Sequence, residues 1–369
     1  MKKKRFVLSF IVSLFFAAFF LEGCEPSYPK EKLAEHVGVL CKEEFNIDTK
    51  AEVFGNTLAI YIPMQSLFDL TFGLSEEAQE VIQNVLMVSS RAVLSTDKGI
   101  DFYCIIVQDV RLPELQVVIV KNVEDVKRSF YGDISRGEYF KRTLFDININ
   151  PQSQKERTIK SIFSKHDLEE KWQESLIDEF FRSSPSNLKE FGYWNDKFYA
   201  KEITLGEFLA EQLAYRIRIN LRENKELEKQ LLIKNIEGAY VVENDLPFFD
   251  IAFDIQTKEM LAVAGQKISK EELFTNIIEE VTLCLYGYGF QDFVFVKIFD
   301  INTKDTLLIT KMDLYKYKKK KIKIADVLKG INKGKIKKQS QEVIVVQMPY
   351  QDAGTLRGNT ARGVKPKVT

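Results

Sequence analysis

Two apolar strings, DFYCIIVQD at 101–109 and DFVFVKIFD at 292–300, are each bounded by aspartates in a chain of 369 residues. Each follows an amphipathic segment that opens on a serine with two acids close behind, SEEAQEVIQNVLMVSSRAVLS from Ser75 and SKEELFTNIIEEVTLCLY from Ser269. A serine N-cap followed by carboxylates is how helices begin, because the first-turn N–H groups need acceptors and favour negative charge. Ahead of each helix lies a further helix and hairpin. EKLAEHVGVLCKEEF carries Leu33, Val37, Leu40 and Cys41 at helical spacing, and KAEVFGNTLAIYIP reads as two strands about Gly55-Asn56. TLGEFLAEQLAYRIRINL sets Leu209, Leu213, Ile217 and Leu221 on one stripe behind Thr204, and GAYVV and FFDIAFDI flank the turn ENDLP. The order helix, hairpin, helix, hairpin therefore occurs twice. It predicts an α+β fold of two related helix-hairpin-helix-hairpin modules, 31–128 and 204–317, with an internal duplication as the candidate origin.

Residues 129–203 separate the modules and read as a mostly helical, aromatic-rich insert. Asn150 and Pro151 suit a helix start, and Trp172, Leu176 and Phe180 recur at intervals of four. FGYWNDKFYAKEI reads as a hairpin about Asn195-Asp196, and Tyr193, Trp194 and Tyr199 form a candidate ligand platform whose competing reading is core. ISRGEYFKR adds Arg136, Lys141 and Arg142, a modest basic patch or a solvated helix face.

The first 24 residues carry an address. Lys2, Lys3, Lys4 and Arg5 precede an apolar run from Phe6 to Leu21, a length that suits a signal-peptide core better than a full membrane span. Leu21, Glu22, Gly23 and Cys24 resemble the lipobox of bacterial lipoproteins, with Glu22 where a small or apolar residue is usual. The resemblance implies a signal peptide over 1–23, cleavage before Cys24, diacylation of its sulfur and a short tether over 24–30. The expected location is the non-cytoplasmic side of a membrane, and Glu25 resembles the outer-membrane sorting pattern of Gram-negative lipoproteins.

Formal charge is zero, but 15 Lys and Arg against three acids stand between Tyr315 and the end. An acidic body thus carries a basic C-terminal extension, 318–369, with a disordered end. Tyr315, Tyr317, Ile322 and Ile324 alternate as if the last strand ran on beneath the lysines. Lys318, Lys319, Lys320 and Lys321 are candidates for contact with an anionic surface, or serve to keep a strand edge unpaired. Export removes nucleic acid as the expected partner.

Chemistry is sparsely signalled. Beyond Cys24, Cys41, Cys104 and Cys284 sit where small hydrophobes would serve and read as buried thiols. His36 and His166 lack a second ligand at helical spacing, so no metal or cofactor is expected. No GxSxG, Walker, dinucleotide-binding or HExxH motif occurs. The expected function is a non-enzymatic envelope scaffold or adaptor, held to the membrane through acylated Cys24 and binding an envelope protein. The alternatives are a ligand-binding lipoprotein, or an envelope hydrolase assembling two carboxylates from Asp178, Glu179, Glu202, Asp250 and Asp254.

Overall fold

A computed structural model describes residues 28–69, 71, 73–164, 185–258 and 268–332. After a 3-10 turn at Lys30–Lys32, the first half runs α1 (Leu33–Phe45), β1 (Lys50–Phe54), β2 (Thr57–Met64), α2 (Glu76–Leu94), β3 (Phe102–Asp109), β4 (Leu115–Asn122), α3 (Val123–Phe130), α4 (Arg136–Lys141), β5 (Leu144–Ile149) and α5 (Pro151–Ser164). A 3-10 turn at Leu188–Glu190 leads into β6 (Gly192–Trp194) and β7 (Lys197–Tyr199). The second half runs α6 (Leu205–Glu223), α7 (Lys225–Gln230), β8 (Leu231–Glu243), β9 (Leu246–Thr257), α8 (Lys270–Gly287), β10 (Phe295–Asp300), β11 (Thr306–Thr310), α9 (Lys311–Lys318), α10 (Ile324–Leu328) and β12 (Ile331–Asn332).

The fold is α+β and strand-rich, which corrects the expectation of helix-hairpin modules around a mostly helical insert. The hairpins do not stand alone. Helix α2 is a crossover that brings β3 parallel to β2, and α8 does the same for β10 and β9, so each pair of hairpins fuses into one mixed sheet. Sheet 1 has the order β1-β2-β3-β4-β5, sheet 2 the order β12-β11-β10-β9-β8, and β6-β7 is a separate ribbon. The insert is itself part strand, because β5 pairs with β4 at the edge of sheet 1. Residues 165–184, with Trp172, Leu176 and Phe180, lie outside the described residues.

Local chemistry explains the boundaries. The Ser75 hydroxyl accepts from Ala78 N–H at 3.1 Å, that of Ser269 from Glu272 N–H at 3.1 Å, and Thr204 and Glu207 form a reciprocal capping box at the start of α6. The β6-β7 and β8-β9 turns put Asn195-Asp196 and Asn244-Asp245 at positive φ, as two-residue hairpin turns require. The strand expected beneath the lysines is helix instead. Thr310 ends β11 and its hydroxyl accepts from Asp313 N–H at 3.1 Å, which starts α9 and puts Leu314 in the core. Of the stretch read as a tether, 24–30, residues 24–27 lie outside the described residues, and the Tyr28 N–H donates to Ser95 O at 3.2 Å.

Sheet 1 is covered on both faces. Leu58, Ile60, Tyr103, Ile105 and Val107 face α1 and α2, while Ala59, Phe102, Cys104, Ile106 and Val120 face the core that contains α6. Helix α6 also lies against β8 of sheet 2, so it is buried nearly all round: Phe208, Ala210, Gln212 and Ala214 are enclosed in addition to the expected stripe. Sheet 2 contributes Ile236, Phe249, Ile251, Phe253, Val296 and Ile298 to the same core. Cys41, Cys104 and Cys284 are buried free thiols, and burial pushes the Cys284 thiol up to about 12.

The approach of α6 to β8 depends on glycine, since a Cβ at Gly238 would collide with the Ala210 carbonyl oxygen. Gly238→Ala should therefore cost about 1–3 kcal/mol of unfolding free energy, read from the urea midpoint. At Gly99 an added Cβ meets nothing within 4 Å, and Gly99→Ala should stay within about 0.5 kcal/mol of wild type.

Candidate functional site

Three features stand out. The first is a cluster of enclosed charge where the two halves meet. Asp125 of α3 accepts from Arg142 Nη1 at 2.8 Å and from the Tyr288 hydroxyl. Arg142 also donates to Glu138 at 2.8 Å, Glu138 accepts from Arg216 of α6 at 2.9 Å, and Arg216 reaches Glu280 of α8 at 3.3 Å. Arg128 donates to the Gly287 carbonyl at 3.1 Å. Arg142, read from sequence as part of a basic patch, is 5% exposed and belongs to this cluster. Nearby, Lys121 lies 3.9 Å from the Tyr139 ring centroid, and burial lowers its ammonium to about 8.

The second feature is a cleft of about 110 Å³ between β4, β5, the 188–190 turn and α6. Val118, Val120 and Leu144 give it an apolar wall, and Asp146, Lys189, Glu211 and Arg218 bring both signs of charge. Register explains the wall: Val118 pairs with Asp146 and Val120 with Leu144, so all four side chains emerge on one face. Glu211 and Arg218 are seven residues apart, two turns along the same side of α6. Burial pushes the Glu211 carboxyl up to about 7, with Lys189 and Arg218 opposing and Asp146 adding to the rise. Such a carboxyl can exchange a proton near neutrality, and the flanking charges suit a small polar molecule. Among the described residues no group of three or more His, Cys, Asp or Glu could hold a metal ion.

The third feature is the outer face of sheet 2. Along β9 the burial alternates, with Phe249, Ile251 and Phe253 inward and Asp250, Ala252 and Asp254 partly exposed. Phe248 stacks on Phe295 with centroids 4.6 Å apart, Asp250 pairs with Lys297 at 2.7 Å, and Ala252 lies opposite Phe299. Lys297, Phe299 and Leu308 also remain partly exposed, giving a mixed apolar and charged surface.

The residues singled out from sequence fall elsewhere. Tyr193 and Tyr199 are 4% and 7% exposed. Tyr193 stacks on Tyr61 at 3.8 Å and takes Phe198 edge-on, while Trp194 Nε1 donates to Glu156 at 2.6 Å. Their faces are occupied by the protein: Tyr193 ties the ribbon to sheet 1, and Trp194 and Tyr199 pack with Ile159 and Phe163 of α5. Glu202 accepts from Asn56 N–H at 3.0 Å beside the β1-β2 turn, whereas Asp250 and Asp254 lie on sheet 2, so these carboxylates do not form one site. Asp178, Glu179 and Cys24 lie outside the described residues. Lys318, Lys319, Lys320 and Lys321 are exposed, with Lys318 Nζ 4.2 Å from the Tyr286 ring centroid. The cleft residues gave no sequence signal except the helical spacing of Glu211 and Arg218, because their neighbours come from three other elements.

No family model, curated protein or solved structure matches the chain.

The Glu211 geometry fixes a pH dependence. In the unfolded chain this carboxyl ionises in the ordinary range, while the folded protein holds the proton up to about 7. The folded state binds more protons across that window, so its stability falls as pH rises through it. Glu211→Gln should leave stability unchanged near pH 4 and raise it by up to about 3 kcal/mol at pH 8, measured by urea unfolding at both values. For the charge cluster, Arg142→Met should cost about 3–5 kcal/mol by leaving Asp125 enclosed and unpaired, and Asp125→Asn in the same chain should recover much of it.

Proposed function

We propose that this chain is an exported, lipid-anchored protein of the cell envelope that works as a scaffold or adaptor, receiving a protein partner on the outer face of sheet 2. The observation that supports it is that face itself. Phe295, Phe299, Ala252 and Leu308 remain partly exposed there among the Asp250–Lys297 ion pair, Asp254, Thr306 and Thr310, a mixture of apolar area and charge that suits a protein partner. The anchor rests on the likeness of residues 21–24 to a lipobox. Among the described residues no helix is long and apolar enough to cross a membrane.

The cleft favours a second reading, a lipoprotein that binds a small polar ligand. Its mixed charges around an apolar wall are what such a ligand needs.

A photo-crosslinking residue at Phe299 should capture one defined envelope protein in intact cells. The same residue at Glu77, on the helix face remote from sheet 2, should not, and Cys24→Ala should abolish both palmitate incorporation and capture. If Phe299 captures nothing while the purified chain carries a bound small molecule, the adaptor reading is wrong and the cleft reading stands.

A further inference from the structure

We infer that the corner between α3 and α4 is a membrane-contact surface that rests on phospholipid headgroups. Phe130, Tyr131 and Phe140 are 79%, 75% and 56% exposed, and the first two are the most exposed large hydrophobic residues among those described. Phe130 and Tyr131 meet edge to face at 5.7 Å, and the Arg136 guanidinium lies 5.6 Å from the Phe140 ring centroid. Aromatic rings beside Lys and Arg are the composition that settles at a bilayer interface, where the ring enters the headgroup layer and the cation meets phosphate.

The surrounding charge is slightly basic. Lys127 pairs with Glu124 at 3.6 Å, Lys141 with Glu223 at 3.1 Å, and Glu138 is engaged by Arg142 and Arg216, which leaves Arg128 and Arg136 against Asp133. The basic rim extends further, since Arg128 donates to Gly287, and neighbouring Tyr286 carries Lys318, the first of the exposed lysines 318–321. Near an anionic leaflet such residues add their attractions.

Position gives an independent argument. The described chain enters at Tyr28, bridged to Thr96, and the Lys30 N–H donates to Asp97 at 2.8 Å. Asp101 follows at the start of β3, and its carbonyl accepts from Val123 N–H at 2.9 Å, where α3 begins. Lys121 beneath Tyr139 places α4 at this same end of sheet 1. Only three residues lie between Cys24 and Tyr28, four residue steps with a reach of at most about 14 Å. An acylated Cys24 would therefore hold this end of sheet 1 close to the bilayer. This orientation rests on the anchor proposed above; the aromatic surface does not.

The test uses the full chain, purified with its native N-terminus and reconstituted into phosphatidylethanolamine vesicles containing phosphatidylglycerol. An environment-sensitive bimane is attached at F130C, or at E77C near the other end of α2, and palmitate incorporation is measured on the same preparations. Doxyl-labelled lipid should quench bimane at 130 at least about twofold and leave position 77 nearly unchanged. F140S with Y131S should weaken the quenching at 130. Quenching at 130 without acylation would uphold the surface and refute the anchor. Acylated protein with no quenching at 130, or equal quenching at both positions, would overturn the surface while leaving the anchor intact. Absence of both quenching and acylation would overturn both.

Discussion

Helix α6 has no solvent face of ordinary width, and the architecture follows from that. A helix enclosed on one side needs one apolar stripe, but α6 lies between sheet 1 and sheet 2 and buries Phe208, Leu209, Leu213 and Ile217 together with Ala210, Gln212 and Ala214. Phe102 of sheet 1 meets Phe208 at 5.1 Å, and Gly238 of sheet 2 lets the backbone of α6 come close on the other side. One helix thus supplies core to both sheets. The two halves share a hydrophobic interior in place of a solvated interface.

At one end of this interior the contact turns from apolar to ionic. Asp125, Arg142, Glu138, Arg216 and Glu280 join α3 and α4 to α6 and α8 through hydrogen bonds that compensate for taking these charges out of water. A fully partnered cluster of this kind adds directional constraint that apolar packing lacks. It fixes the aromatic corner of α3 and α4 relative to the C-terminus of α8, and so relative to sheet 2. The proposed membrane corner and the proposed partner face on sheet 2 are thereby held in a fixed relation to each other.

Features set by near neighbours in the chain were legible in the sequence. Ser75, Thr204 and Ser269 cap helices because a side-chain oxygen two or three residues from an unsatisfied N–H is sufficient, and Asn195-Asp196 turns a hairpin because these residues tolerate positive φ. Features set by distant partners were not. Nothing local distinguishes two separate hairpins from hairpins fused through a parallel pair, and β5 reads as insert until β4 is beside it. The alternation of Tyr315 and Tyr317 suggested a strand, but the Thr310 cap outweighed it. The aromatics around Tyr193 read equally as platform or core until Tyr61 is seen stacked on them, and the Glu211 cleft exists only once four elements meet.

The central claim, that α6 makes both sheets one cooperative body, is tested most directly by native-state amide hydrogen exchange at rising urea concentrations. Amides of β3 and β10 should exchange through a single global opening, with the same free energy and the same denaturant slope. If β10 exchanged through a smaller, lower-energy opening while β3 stayed protected, the sheets would be separate units and the shared-core account would be wrong.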